Sequence, residues 1–353
     1  MEEKKKIPGL LDMIPHPGFY VTDYLVTAAN TAATGMGIFP CADVREWIRL
    51  GLEEYSQLEE GCLCLTLCFG GRDHCACVTR RPEGDLFLLE QEDNLEEFRA
   101  MALAARELRL PLSNAMGQME QLLASLPEES RNAAVSMSRS LYQMLRTIGN
   151  MSDTGNVTGS FRPEVQNIPA VIQEIFDKAQ VLAAHTGIRL TFHPLEEMVL
   201  GLVDAPQLER AIYNILSNAL KFTPAGGSVE ALLSRKGTML RLSLQDSGSG
   251  IHQDVLQNLF YRYLRQPGIE DSRYGIGLGM VLIRRIAANH GGTVFIDRSP
   301  SGGTRVTLTL AIRQDNDTIL SSPVRRPDYT GERDHGLVEL SDCLPAHLYN
   351  EEF

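Results

Sequence analysis

Asn214 and Asn218 stand four residues apart in the run Asn214-Ile-Leu-Ser-Asn218-Ala-Leu-Lys221. On a helix this spacing puts both amides on one face, with Lys221 on the next turn. Amide oxygens suit a magnesium ion, which takes oxygen ligands and keeps several waters. A lysine ammonium suits a phosphate as a point charge. Taken alone, the run fits the polar face of an amphipathic helix equally well. Two more patterns follow in order. Asp246 ends the strand-like run Leu242-Ser-Leu-Gln-Asp246 and opens Asp246-Ser-Gly248-Ser-Gly250. A carboxylate there can accept a hydrogen bond from an exocyclic amine such as that of adenine, and Gly248 and Gly250 let the backbone pass close to a base. Read alone it is an ordinary Asp-Ser-Gly turn. Last comes Gly275-Ile-Gly277-Leu278-Gly279, ahead of a helical run that closes at His290-Gly-Gly292. Glycines before a helix bring free N–H groups and the positive dipole end to an anion. Together, in this order, the three describe a pocket for a magnesium-bound adenine nucleotide.

The elements that must position these groups are legible over residues 160–313. Helices are predicted at 168–184, 206–221 and 277–290. Strands are predicted near 187–193, 197–203, 228–234, 239–246, 292–298 and 303–311. The pattern is an α/β sandwich with a mostly antiparallel sheet, in a chain of α+β multidomain class.

Upstream, residues 93–152 read as a helical hairpin. Asp93 with Glu96 forms a capping box. Apolar residues then recur as Leu95, Phe98, Met101/Ala102, Ala105, Leu108, Leu112, Ala115, Met119 and Leu122, one stripe on a helix. Ser125-Leu-Pro-Glu-Glu breaks it, and a second amphipathic helix runs from Arg131 to Ile148. Two helices joined by a short turn cannot bury both stripes alone, so a homodimer forming a four-helix bundle is the cheapest solution. Asp153 to Phe161 reads as a loop by composition.

Residues 13–92 read as a small α/β module after an extension at 1–12. Two short strands, Phe19–Asp23 and Leu25–Asn30, precede a helical stretch from Val44 to Tyr55, a cysteine-rich hairpin and a strand from Asp85 to Glu90. Cys62, Cys64, Cys68, Cys75 and Cys77 flank Phe69-Gly70-Gly71-Arg72, and Leu63, Leu65 and Leu67 alternate with the first three. A turn at Gly70-Gly71 would set Cys64 opposite Cys77. These thiols read either as a metal or thiol sensor, or as small apolar side chains on a buried sheet face. Without a C-x-x-C pair or zinc-finger spacing, the second reading is preferred. The tail, 314–353, is polar and turn-rich, and is expected to lie along the surface or stay partly disordered.

A net charge of −12 argues against a nucleic-acid or anionic-membrane surface. No apolar run approaches the ~20 residues that span a bilayer. The N-terminus, Met-Glu-Glu-Lys-Lys-Lys-Ile-Pro, lacks the apolar core of a secretory signal. The expectation is a soluble, cytoplasmic protein.

The ordered runs resemble the N, G1 and G2 boxes of the histidine-kinase branch of the GHKL ATPases. Leu259-Phe-Tyr-Arg262-Tyr-Leu-Arg265 is similar to that family's F box. The likeness runs from Phe98 to Leu310. It implies a Bergerat-fold domain binding ATP and magnesium. By the same likeness Asn218 is the metal ligand with Asn214 beside it, Asp246 reads adenine, and Gly248, Gly250, Gly275, Gly277, Leu278 and Gly279 frame the site. Lys221, Arg262 and Arg265 are implied phosphate contacts. Residues 13–92 resemble a PAS sensor module in element order. A response regulator or another signalling protein is the implied partner.

One departure bears on the chemistry. Ala105-Arg106-Glu107-Leu108-Arg109-Leu110-Pro111-Leu112 matches the family's Ser-His-Glu-Leu-Arg-Thr-Pro-Leu run, with Arg106 at the phospho-accepting histidine and Glu107 retained beside it. A neutral imidazole nitrogen is a nucleophile near pH 7. A guanidinium has no lone pair to offer and pairs with phosphate instead. Leu110 stands where the family's phosphatase reaction needs a water-positioning Thr or Asn. The implied protein is a pseudo-histidine kinase; a non-catalytic ATP-gated regulator and a GHKL-type serine kinase are the alternatives.

Overall fold

The computed structural model describes residues 11, 12, 14, 16–59, 61–81, 83–90, 94–155, 161–251, 278–299, 302–313 and 333–350. In chain order the strands are β1 Gly18–Thr22, β2 Leu25–Ala29, β3 Ile48–Leu50, β4 Cys62–Phe69, β5 Arg72–Arg81, β6 Gly84–Leu89, β7 Glu164–Asn167, β8 Arg189–His193, β9 Leu200–Val203, β10 Ser228–Lys236, β11 Met239–Asp246, β12 Val294–Arg298 and β13 Thr304–Ala311. The helices are α1 Thr31–Gly35, α2 Leu52–Ser56, α3 Asn94–Ser125, α4 Arg131–Gly155, α5 Ile168–Ala183, α6 Ala205–Phe222, α7 Leu278–Asn289 and α8 His335–Glu339.

Alternation of buried and open residues along β11 and from Ser228 to Ser234 of β10 makes them a hairpin with one core face. β8 joins β10 in parallel, while β11, β13 and β12 continue antiparallel. Helices α5, α6 and α7 contribute Phe176, Ile212, Leu216 and Ile283 to the apolar layer against this sheet. β7 and β9 form a separate two-stranded ribbon.

The sheet does not stop at β12. Val294, Phe295 and Ile296 pair antiparallel with Cys64, Leu63 and Cys62. The order β2-β1-β6-β5-β4-β12-β13-β11-β10-β8 is therefore continuous, and the unit expected as a separate module shares the sheet of residues 189–311. β4 divides its outer edge between β12 at Cys62–Cys64 and β3 at Thr66–Leu67. Its two faces serve two cores. Leu63, Leu65 and Leu67 pack with Phe19, Val78 and Phe87, while Cys62, Cys64 and Cys77 join the core that contains Val294 and Ile296. The predicted register holds: Cys64 is opposite Cys77, across a turn with Gly70 and Gly71 both at positive φ. Cys62, Cys64 and Cys77 are buried and Cys68 is exposed.

Three local expectations are corrected. The helical stretch from Val44 to Tyr55 is a 3-10 turn, β3 and α2, because Gly51 takes φ 92° and β3 pairs with β4. The second hairpin helix runs on through Asp153 and Thr154, expected as loop. Its last carbonyls are satisfied by Arg285, whose Nη1 donates to Asp153 O at 3.0 Å and Thr154 O at 2.7 Å. The apolar stripe of α3 buries Phe98, Ala105, Leu112, Met116, Met119 and Leu123, leaving Leu108 and Leu122 exposed.

The tail differs most. Residues 333–350 fold back as α8 and a 3-10 turn at Ala346–Tyr349, burying Leu337, Val338, Leu340, Leu344, Leu348 and Tyr349. Asp334 caps α8 by accepting from the Leu337 N–H at 2.9 Å. Among the described residues no helix is long and apolar enough to cross a membrane.

Candidate functional site

Helix α6 starts on an Asp204 cap, whose side chain accepts from the Gln207 N–H at 3.2 Å, and carries Pro206 in its first turn. Its apolar face packs on the sheet and its opposite side presents Asn214, Asn218 and Lys221. The two asparagines are not equivalent. Asn214 is 1% exposed, donates from Nδ2 to Arg210 O at 2.9 Å, and has Oδ1 3.5 Å from Arg146 Nη2. A guanidinium that close is a poor neighbour for a metal ion. Asn218 is half-buried, with Nδ2 3.8 Å from Met280 Sδ, so its amide nitrogen meets sulfur and its oxygen is turned away from it. Of the two, Asn218 is the one whose surroundings fit a hydrated magnesium ion.

α6 and α7 approach closely at Gly279. A Cβ on Gly279 would lie 2.9 Å from Asn214 Oδ1. Leu278 is buried against Phe98 and Val281, so its side chain belongs to the hairpin contact.

Asp246 is buried at the end of β11. Its Oδ1 accepts from the Gly248 N–H at 2.9 Å and the Thr304 N–H at 3.1 Å, fixing the carboxyl between two loops. Burial raises its pKa above the ordinary carboxylate value, against those two hydrogen bonds. A Cβ on Gly248 would strike Phe222 O, so the loop after β11 lies tight against the C-terminal end of α6. Gly250, at φ 73°, approaches Gly302 O, and a Cβ on Gly303 would strike Asp246 itself. The structure thus sets Gly279 against Asn214 between α7 and α6, and sets Asp246 and Gly248 beside Phe222 at the C-terminal end of α6, the helix that carries Asn218 and Lys221. Arg262, Arg265, Gly275 and Gly277 lie outside the described residues.

Arg106 and Glu107 are both exposed on α3. Several residues at the site carried no sequence signal. Lys221 Nζ lies 3.5 Å from Asp342 Oδ2, and Arg146 Nη1 holds the same oxygen at 2.6 Å. Glu339, fully buried, sits between Arg146 Nε at 3.4 Å and Arg210 Nε at 3.5 Å. The one available hint was composition: arginines along a helix read as solvent-facing, and acids in a polar tail.

Residues 203–314 match the family model described as histidine kinase-, DNA gyrase B-, and HSP90-like ATPase. The chain is 26% identical over 246 residues to hybrid signal transduction histidine kinase D of Dictyostelium discoideum, covering 66% of this chain and 16% of that one. It is 30% identical over 222 residues to the sensor protein EvgS of Escherichia coli K12, covering 60% and 18%. A sensor-like histidine kinase of Rhizobium meliloti is 29% identical over 268 residues, covering 70% and 50%. The chain thus spans between about a sixth and a half of these relatives' length. Among solved structures, full-length ShkA in complex with AMPPNP superposes with a TM-score of 0.50 at 21% identity, covering 61% of this chain and 46% of that one, a likeness of fold. Residues 203–314 thus carry an ATPase domain of the histidine-kinase type, and the chain is similar to sensor histidine kinases over 222 to 268 residues.

Proposed function

We propose that this protein binds Mg-ATP at the site between α6, α7 and the Asp246 loop, and that it signals without histidine autophosphorylation, as a pseudo-histidine kinase. The convergence of Asn214 and Gly279, too close to admit a methyl group without a shift of the asparagine side chain, carries the reading: two runs far apart in sequence build one wall. Asp246 would take the adenine amine, Asn218 the magnesium ion, and Lys221 a phosphate. That ShkA, similar in fold, is in complex with AMPPNP supports a nucleotide as the ligand. ATP would supply a transferable phosphoryl group, but Arg106 offers no nucleophile to receive it.

The strand order β2-β1-β6-β5-β4 supports a PAS-like sensor role for residues 13–92. Leu103 and Leu110, seven residues apart on α3, are 65% and 70% exposed, which supports a homodimer through the hairpin. A response regulator or another signalling protein in the cytoplasm is the proposed partner.

Calorimetry with ATP and millimolar magnesium tests the pocket; no heat of binding sinks the reading. Labelling with γ-labelled ATP tests the rest. No label on the chain is expected. Acid-labile label would restore a histidine or aspartate kinase, and acid-stable label on a partner would favour the serine kinase. For the dimer, light scattering should report twice the chain mass, and Leu103→Glu with Leu110→Glu should halve it.

A further inference from the structure

The cluster around Asp342 has no role in nucleotide binding as described, yet it touches the residues assigned to it. Three cations, Arg146 of α4 and Arg210 and Lys221 of α6, face Glu339 and Asp342 from the C-terminal segment. Asp342 Oδ2 lies 2.6 Å from Arg146 Nη1 and 3.5 Å from Lys221 Nζ. That is where an anionic oxygen would sit if Lys221 held a phosphate. The segment is fastened on both sides. From α4, Arg139 donates to Ser341 O and Asp342 O, each at 3.0 Å, and Gln143 donates to Ser341 O at 3.3 Å. From α6, Ser217 O accepts from Cys343 Sγ at 3.2 Å. Tyr142 and Tyr349 stack edge to face at 4.9 Å. Residues 333–350 therefore tie the hairpin to the nucleotide domain, and one carboxylate of the tie is on the candidate phosphate lysine.

We infer that residues 333–350 form an autoinhibitory strap in which Asp342 occupies the phosphate position at Lys221, so that nucleotide triphosphate and strap compete for the same cations. The inference rests on the ATP reading above. A carboxylate and a phosphate oxygen present the same charge-assisted acceptor to Lys and Arg, and both cannot hold one ammonium at short range without repelling each other. Entry of the phosphates would break the Asp342 contacts to Lys221 and Arg146, loosen residues 341–343 and release α4 from α6. Nucleotide occupancy would thereby be read out as hairpin freedom.

Cys343 reports the strap directly, since burial raises its thiol pKa and Ser217 covers it. The full-length chain is treated with iodoacetamide and each cysteine mapped by mass spectrometry, with and without Mg-ATP. Alkylation of Cys343 should rise several-fold with Mg-ATP and not with magnesium alone. In parallel, Asp342→Asn should tighten ATP binding roughly five- to tenfold, the scale of a half-buried ion pair. ATP that binds equally well to both chains while Cys343 stays slow overturns the strap and leaves the ATP site standing. ATP that binds neither chain overturns both. The thiol readout needs no variant, so a misfolded Asp342→Asn protein does not rescue the idea.

Discussion

Cys64 of β4 stands directly opposite Val294 of β12, and this pair joins the N-terminal unit to the ATPase-type domain. Antiparallel pairing gives each edge the partner it would otherwise seek in another chain. The two units also share core, since Cys62, Cys64 and Cys77 lie in the same apolar cluster as Val294, Ile296 and Ile283. A displacement of the N-terminal sheet would thus pass directly to the strand that follows α7.

Shared sheet and shared core predict shared unfolding. The chain has a single tryptophan, Trp47, in the N-terminal unit, edge-on to Phe19 at 6.3 Å. Its fluorescence reports that unit, while far-UV circular dichroism is dominated by the helices elsewhere. Both probes should show one coincident transition in denaturant. Two separated midpoints would show that the β4–β12 pairing does not couple the units.

Asp246→Asn isolates the adenine contact. The amide keeps an oxygen for the Gly248 and Thr304 N–H groups, so the two loops should stay in place. What is lost is the charged acceptor, worth roughly 1.5–3 kcal/mol, or about a 10- to 150-fold weaker ATP affinity. Thermal stability should move little. An unchanged dissociation constant would remove Asp246 from the site.

Two glycines should respond differently to alanine. At Gly292 the added methyl would run into backbone, Thr309 O on β13, which cannot retreat without breaking the sheet. At Gly279 it meets the side-chain oxygen of Asn214 at 2.9 Å, which can rotate. Gly292→Ala should therefore cost about 3 kcal/mol or more and several degrees of Tm. Gly279→Ala should keep most stability and lose ATP affinity. Equal thermal losses in the two variants would contradict the close approach at β13.

Acid should weaken the fold through His290. The buried imidazole donates from Nδ1 to Ile286 O at 2.8 Å and accepts from the Asp204 N–H on Nε2 at 3.1 Å, an arrangement that requires the neutral ring. Burial lowers its pKa below the ordinary 6.5. The unfolded chain then binds the proton more readily, so this stabilisation is complete above about pH 6.5 and is lost as pH falls toward the folded value. His16 shares the direction, also through burial. The ring C–H resonance of His290 should titrate below 6.5 in NMR spectra; a midpoint above it would reverse the sign.

The sequence was most legible where periodicity is strict. β11 alternates throughout and β10 does so from Ser228 to Ser234, and α6 presents its polar groups at helical spacing with Asp204 as cap. The Cys64–Cys77 register followed from Gly70-Gly71, because a two-residue turn leaves a hairpin one choice. The β4–β12 pairing was invisible, since strand edges join through backbone groups that every residue carries. The α3 stripe went astray at Ala115 and Leu122 because Met116 and Leu123, one position on, are the residues that face α4. The tail misled for a related reason: Leu337, Leu340, Leu344 and Leu348 fall at helical spacing but straddle two short helical turns and Pro345, and the segment is held through Ser341 and Asp342 by Arg139, Gln143 and Arg146 about 200 residues away.

Arg106 offers the most direct test of how much of a kinase remains. The residue is exposed on α3, and Glu107, Arg109 and Pro111 of the surrounding run are kept. Position 106 therefore has the accessibility a phosphate acceptor needs, and its side chain offers no nucleophile. Replacing it by histidine supplies a neutral nitrogen near pH 7. With γ-labelled ATP, Arg106→His should gain acid-labile, base-stable label at residue 106, while wild type and Arg106→Gln stay unlabelled. Combining it with Asp342→Asn should raise the yield, because ATP then meets a weaker competitor at Lys221. If Arg106→His binds ATP and takes no label even with the strap weakened, the geometry that delivers phosphate to α3 has been lost along with the histidine.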